Sequence, residues 1–308
     1  MKKISIAIPT YNRKEYLIDS LKSVLAQTEK DREIIVFDNH SDYDIEKAIS
    51  EIDTNKEIRI EKIETNIGNV GNFCRIQKYK FDSKYLIIFH DDDTMHPNFL
   101  KEGISVMEKN PSILWLGTSL NFVNDDNKMF DFNSIEPFET QIVDTAGLIK
   151  KIANDFNNLC FDSVIYKTDI FTNGYPIETL YKTFNKWFDR PLLVELSKLG
   201  KVALVDEKCI NYRIHSNQDS QQLDDLITNK INLLNYYSNE LGLQGVTNVS
   251  KHMSNLIIIG LSLSTTTTSE FRTLLRQFKK NNAFKYRYVR LKGLYYFLRF
   301  FLKLFYNR

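Results

Sequence analysis

The sequence predicts an α/β fold with a mostly parallel central sheet, followed by a helical C-terminal region, and three observations predict it. Short apolar runs recur at Ile4–Ile8, Glu33–Phe37, Ile58–Ile63 and Tyr85–Phe89, the length of strands covered on both faces. Between them lie segments with apolar residues at helical spacing, Tyr16–Gln27 being the clearest. Polar clusters at Pro9–Arg13, Asp38–Asp42 and Asp91–Asp93 follow three of the runs, as expected where strands joined by right-handed crossovers end at one edge of a sheet.

Each element has its own signal. The first strand is expected to stop at Pro9, because a central strand needs the N–H that Pro lacks, and Asn12 favours a turn. Tyr16, Leu17, Leu21, Val24 and Leu25 then share a helical stripe. Asp44–Ile52 reads as the next helix, and the polar loop Asn66–Asn72 leads into another over Asn72–Tyr79. Pro97 opens a helix reaching about Lys109, and Ile113–Thr118 is a strand. Residues 121–140 are polar and acidic, a loop or hairpin, and Val143–Asn154 looks helical. Ser163–Lys167 is a short strand, after which Asp169 caps a turn. Trp187–Pro191 leads into a helix over Leu192–Leu199, with Gly200 placed as a helix-terminating glycine before the strand Lys201–Asp206. From Leu223 the pattern is helical, broken at Thr265–Ser269. A boundary is therefore expected near residue 220, dividing a domain of residues 1–220 from a helical region of residues 221–308.

Composition is that of an ordinary globular chain, 43% hydrophobic and 26% charged, rich in aromatics with 21 Phe and 16 Tyr. Cys74, Cys160 and Cys209 lie far apart with no C-x-x-C pair, which argues against a disulfide framework or a zinc cluster and for a reducing cytoplasm. The apolar stretch after Met1-Lys2-Lys3 is too short for a signal peptide, and Leu256–Leu263 is too short to span a bilayer. The net charge of +2 conceals an asymmetry. After Glu270 there are 11 basic groups and no acidic one, so the remainder holds 30 basic against 39 acidic groups, a net of −9. Leu291, Leu294, Tyr295, Leu298, Phe301, Leu302 and Phe305 fall on one stripe of that basic tail. The pattern suits an amphipathic helix on an anionic membrane surface, or one docked on the body or on a second subunit. No motif supports nucleic-acid binding.

Chemistry is expected at Asp91-Asp92-Asp93, which closes the run Tyr85–Phe89 and His90. Adjacent carboxylates repel unless a cation or hydrogen-bond donors compensate. Hard oxygen ligands suit Mg²⁺ or Mn²⁺, with Mg²⁺ commonly held by one or two carboxylates and substrate phosphates. A divalent ion carrying a diphosphate fits there; a solvated acidic turn is the plain alternative. Asp38 either accepts from a base or ribose or opens an Asx-turn, and Arg13 either meets a phosphate or faces solvent. Asn66, Gly68 and Asn72 either bring backbone near a ligand or simply turn the chain. Neither a P-loop nor a G-x-G-x-x-G is present.

Ile8-Pro-Thr-Tyr-Asn-Arg13, Leu21-x-Ser23-Val24-Leu25-x-Gln27-Thr28 and Glu33-Ile-Ile-Val-x-Asp38-Asn39-x-Ser41-x-Asp44 together resemble the family 2 glycosyltransferases. Asn66-x-Gly68-x-x-x-Asn72, Asp91-Asp92-Asp93, Trp187-Phe-Asp-Arg-Pro-Leu192 and Tyr212-Arg-x-His215 continue the resemblance in the same order, over residues 3–218. It implies a Rossmann-like GT-A domain that transfers a sugar, with inversion, from a UDP-, dTDP- or GDP-sugar to a saccharide or lipid-linked acceptor, as in surface polysaccharide assembly. It also implies a cytoplasmic enzyme, peripheral on the inner face of the membrane if the tail binds lipid; an oligomer is left open. Carried over, Pro9, Thr10, Asn12, Arg13 and Asp38 would line the nucleotide site with Asn66, Gly68 and Asn72. Asp91 and Asp92 would lie near ribose or sugar, and Asp93 with His215 would hold Mn²⁺ or Mg²⁺. Asp189 would be the catalytic base; its alternative is a helix N-cap. His215 is otherwise a loop or core histidine, and Trp187 and Phe188 either stack on a sugar or pack in the core. Many members carry D-x-D-D where this chain has His90 first, which allows the ribose and metal roles to shift by one residue. Two other readings stand beside this one. A haloacid-dehalogenase-like phosphohydrolase is suggested by Asp91-x-Asp93, though Met95 departs from its pattern, and the remaining reading is a non-catalytic nucleotide-binding protein.

Overall fold

A computed structural model describes residues 1–124, 126–135, 137–154 and 159–215, together with 232–233, 236–237 and 239–240. In order they form β1 (Lys2–Thr10), α1 (Lys14–Leu25), β2 (Arg32–Asp38), α2 (Ile45–Ser50), β3 (Ile58–Lys62), α3 (Gly68–Gln77) and β4 (Ser83–Ile88). There follow β5 (Thr94–Met95), α4 (Phe99–Lys109), β6 (Ile113–Val123), β7 (Thr140–Val143), α5 (Thr145–Asn154) and β8 (Val164–Lys167). The series closes with α6 (Thr168–Thr172), α7 (Ile177–Phe184), α8 (Asp189–Ser197) and β9 (Lys201–Arg213). The chain divides into two compact units, Met1–Leu148 with Asn157–His215, and Ile149–Phe156 with Ser216–Arg308. The expected break at Thr265–Ser269 and the basic tail lie outside the described residues.

One sheet runs β3-β2-β1-β4-β8-β6-β9-β5, with β7 also paired to β9. β3, β2, β1 and β4 are parallel. β8 runs antiparallel to β4 and β6, β9 is parallel to β6, and β5 and β7 are antiparallel to β9. The parallel strands are covered on both faces, as their unbroken apolar runs require: Ile4, Ile6, Ala7, Ile8 and Leu86–Phe89 are fully buried.

Pro9 does not end β1 as expected; the strand continues to Thr10, and Pro9 stands opposite Phe37. The Ala7 carbonyl accepts from Phe89 N–H on the β4 side, so two residues later Pro9 faces that same side, where β4 has already ended. The next rung there would need a Pro9 N–H, so the ladder to β4 stops while β1 stays paired with β2. β9 also exceeds expectation. Its register against β6 slips between Thr118↔Val205 and Ser119↔Lys208, leaving Asp206 and Glu207 as extra residues. Such a bulge bends a strand, and it lets β9 continue past β5 until Tyr212 and Arg213 reach the end of β4. Gly200, expected as a left-handed helix terminator, has no positive φ; a Cβ there would come within 3.1 Å of Leu114, so close packing explains the glycine.

Helix α1 has two buried faces. Leu17, Leu21 and Val24 pack in the core, while Ser20, Ser23 and Gln27 are buried polar groups aimed at the segment after β4. Ser20 Oγ donates to the His90 carbonyl at 3.0 Å, and Met95 N–H donates to Ser23 Oγ at 3.1 Å. Gln27 Nε2 donates to the His96 carbonyl at 2.8 Å, and its Oε1 accepts from Leu100 N–H at 3.2 Å, satisfying one of the open N–H groups at the start of α4. Gln27→Leu leaves the Leu100 N–H without this acceptor, while the His96 carbonyl keeps the Phe99 N–H; we expect a loss of about 1–3 kcal/mol of stability, read as a lower denaturant midpoint at unchanged m-value.

Candidate active site

The carboxyl ends of β1, β2 and β4 meet at one edge. Thr10 stands opposite Asp38 in the register, and β4 ends beside Ala7, three residues before Asp91. Thr10 Oγ1 donates to Asp91 Oδ2 at 2.7 Å. Arg13 Nη1 donates to Asp91 Oδ1 at 3.2 Å and to Asp92 Oδ2 at 2.6 Å. Asn12, at φ 54°, ties the loops after β1 and β2: its Nδ2 donates to Asp42 Oδ2 and its Oδ1 accepts from Asp42 N–H, both at 2.7 Å. Asp38 Oδ1 accepts from Ser41 N–H at 3.1 Å, the Asx-type turn anticipated as one alternative, while its buried Oδ2 has no partner among the described residues. That orphaned oxygen leaves an acceptor open for a ligand N–H or O–H.

The loop before α3 is held by amides. Asn39 Nδ2 donates to Asn66 Oδ1 at 2.9 Å, and Asn66 Oδ1 also accepts from Gly68 N–H at 2.7 Å. Gly68 has φ +75°, a conformation that favours glycine. Asn72 is buried and donates to the Phe37 carbonyl at 2.8 Å. Asn66 and Asn72 therefore brace the loop that the sequence offered as a ligand contact, and α3 starts at Gly68 rather than at Asn72.

The three consecutive aspartates have separate environments. Burial and the neighbouring Asp92 charge raise Asp91, against the opposing pull of Arg13 and Thr10. Burial alone would raise Asp92 too, but the His215 hydrogen bond, with His90 and Arg13 nearby, takes it below the ordinary carboxyl value. His215 Nε2 lies 3.2 Å from Asp92 Oδ2. Asp93 is fully buried: its Oδ1 accepts from Arg213 N–H at 2.8 Å, and its Oδ2 lies 3.4 Å from His90 Nδ1. Burial, Asp162 and Asp92 push its pKa well above the usual range. His215 meets Asp92, one residue before the expected Asp93, whose Oδ1 takes the Arg213 N–H from β9.

Asp189 begins α8, and Phe188, not Asp189, is the N-cap residue. Burial raises its pKa, opposed by the Arg190 guanidinium and N–H and by His90. Phe188 is core, packed against Phe73 and Phe161, whereas Trp187 lies under the Arg190 guanidinium at 5.4 Å. Sequence reasoning missed Asp162, which is fully buried beside Cys160 and groups with His90 and Asp93, their ligand atoms lying within 4.8 Å of one another. A lone Asp in a short turn carries no local signal for this. It also missed Asp19, which accepts from Arg213 Nη2 at 3.1 Å, and Tyr16, whose ring carries the Arg213 guanidinium at 4.7 Å.

Residues 5–186, more than half of the chain, match the family model for glycosyl transferase family 2. An uncharacterized glycosyltransferase of Haemophilus influenzae is 26% identical over 263 residues, covering 78% of this chain and 76% of that one. The poly(ribitol-phosphate) beta-N-acetylglucosaminyltransferase TarP of Staphylococcus aureus is 31% identical over 120 residues, 38% of this chain and 36% of its own length. Among solved structures, S. aureus TarS 1–349 aligns over 92% of this chain and 89% of its own with a TM-score of 0.53 at 16% identity. The mannosyltransferase PcManGT of Pyrobaculum calidifontis, solved with GDP-Man and Mn²⁺, covers 100% of this chain and 88% of its own at a TM-score of 0.54 and 9% identity. The two structures bear on the fold alone, which is GT-A; the family match spans β1 to the approach of α8, including the acidic end of β4, and the chain belongs to glycosyltransferase family 2.

Proposed function

We propose that this glycosyltransferase moves a sugar from a nucleoside diphosphate donor to a saccharide or lipid-linked acceptor, with inversion, in the assembly of a surface polysaccharide. The observation that carries the reading is the meeting of Thr10, Arg13, Asp38 and Asp92 at one sheet edge, where a nucleotide has an open acceptor on one side and an ionised carboxylate on the other. The related structures lend support: TarS was solved with UDP-GlcNAc, and PcManGT with GDP-Man and Mn²⁺. The basic groups of the tail favour a peripheral position on an anionic membrane, where a lipid-linked acceptor would be met. The phosphohydrolase alternative is dropped, because the family model spans the acidic strand end that suggested it.

The donor set fits a divalent ion. Asp92 favours the carboxylate form, and His215 Nε2 faces it at 3.2 Å, an oxygen and nitrogen pair suited to Mn²⁺ and able to hold Mg²⁺ with phosphate oxygens. Asp92 and His215 would hold the ion, which when bound supplies positive charge opposite the departing diphosphate. His90, Asp93 and Asp162 form a second donor group, with both of its carboxylates fully buried. Asp38 and Thr10 would orient base and ribose, with Asp91 beside them. The acceptor oxygen bonds to the anomeric carbon as the anomeric carbon–phosphate oxygen bond breaks. The electron pair leaves with the diphosphate, and the acceptor proton passes to the Asp189 carboxylate. Burial raises its pKa, which makes that carboxylate a stronger base than an exposed one, against the lowering pull of Arg190.

Thermal unfolding with UDP, dTDP and GDP, each with and without Mn²⁺, tests the donor site. One diphosphate should raise the midpoint, by mass action, only when Mn²⁺ is present, and Asp92→Asn should abolish the Mn²⁺ requirement together with the shift. If none of the three stabilises the protein, the donor reading is wrong. Asp189→Asn should keep nucleotide binding and lower turnover by about 10²–10⁴-fold; near-normal turnover would remove Asp189 from the reaction. Arg190 lowers the Asp189 pKa, so Arg190→Gln should move the acid limb of kcat/KM to higher pH, a shift read from the pH–rate profile.

A further inference from the structure

We propose that Tyr16 is a positioning residue for His215, fixing the imidazole so that Nε2 points at Asp92 and thereby setting the affinity for the divalent ion. This rests on the reading of Asp92 and His215 as the ion-holding pair. A histidine that binds a metal through one ring nitrogen is ordinarily oriented by a hydrogen bond from the other. Here that second nitrogen, Nδ1 of His215, is buried and has no hydrogen-bond partner among the described residues. Among the described residues the ring is instead met by an aromatic contact. Tyr16, in the first turns of α1, packs on it with ring centroids 4.8 Å apart and planes at 45°. The same ring carries the Arg213 guanidinium at 4.7 Å, a cation–π contact.

Arg213 in turn is anchored at several points. Its Nε donates to the Asp92 carbonyl at 2.8 Å and its backbone N–H to Asp93, while Nη2 reaches Asp19, one turn after Tyr16 on α1, and Nη1 pairs with Asp126. Arg213 is 2% exposed. The Tyr16 ring is therefore backed by a guanidinium that cannot move away, and His215 rests against a fixed wall. The contacts are made by the aromatic ring.

Titration of the full-length protein with Mn²⁺ alone, followed by the electron paramagnetic resonance of the free ion, tests the proposal in Tyr16→Leu, Tyr16→Phe and the reference variant His215→Ala. Tyr16→Leu should weaken Mn²⁺ binding about tenfold, as loss of an outer orienting group does, beside a small fall in the metal-free thermal midpoint from the lost cation–π contact. Tyr16→Phe, which keeps the ring, should bind Mn²⁺ as the native protein does, and His215→Ala should bind more weakly than either. If Tyr16→Leu binds Mn²⁺ normally while His215→Ala does not, the ion site stands and the positioning role falls. The role also falls if Tyr16→Phe is as weak as Tyr16→Leu. If His215→Ala leaves Mn²⁺ binding untouched, the ion-site reading fails and this inference with it.

Discussion

Asp91, Asp92 and Asp93 are consecutive, and none is more than 7% exposed. Three carboxylates so placed would repel one another strongly in a poorly solvated site, and the surrounding fold supplies the compensation. Thr10 and Arg13 come from the end of β1 and the turn after it, and Arg213 and His215 from the far end of β9. His90, inside the same segment, is raised to about 10: burial alone would lower it, but Asp162, Asp93 and Asp92 outweigh that. Each aspartate thereby acquires its own character. The Asp91 pKa is raised by burial and by Asp92, the Asp92 pKa is lowered chiefly by its His215 hydrogen bond, and Asp93 takes the Arg213 N–H in the interior.

Helix α1 sets where this happens. Tyr16, Asp19, Ser20 and Ser23 of α1, with Gln27 just past its end, reach Arg213 and His215 at one end and the backbone of residues 90–100 along the rest. One helix therefore registers the acidic segment against β9. The bulge at Asp206 and Glu207 completes the arrangement by letting β9 bend toward that segment. The purely apolar faces of α1 and the parallel strands supply the burial that holds these pieces in place.

Family membership explains the sheet and the order of the site segments, but a shared fold does not assign roles to side chains. The roles proposed for Asp92, Asp189 and Tyr16 rest on this chain's own geometry. His90 is instructive, because it places a basic group directly before three acids. In this chain that group faces Asp93 and lies within electrostatic reach of Asp189 and Asp162, so the interior of the site is balanced differently from one with four carboxylates.

The positions of β1, β2, β3, β4 and α1, and the gathering of chemistry at their carboxyl ends, were legible in the sequence because they follow from local patterns: apolar runs, helical periodicity and polar punctuation. The short strand β7 and helix α7 were not read, since four strand residues and eight helical ones leave too little period to detect. The division of labour among Asp91, Asp92 and Asp93 belongs to the tertiary structure. Adjacent residues look alike in sequence, and what separates them is contact with partners more than 100 residues away, Arg213 and His215. Burial of Asp162 beside them, and the turning of Tyr16 from an expected core stripe toward β9, are likewise decided by which elements pack together, since the free energy of a charged or polar side chain depends on what surrounds it in space.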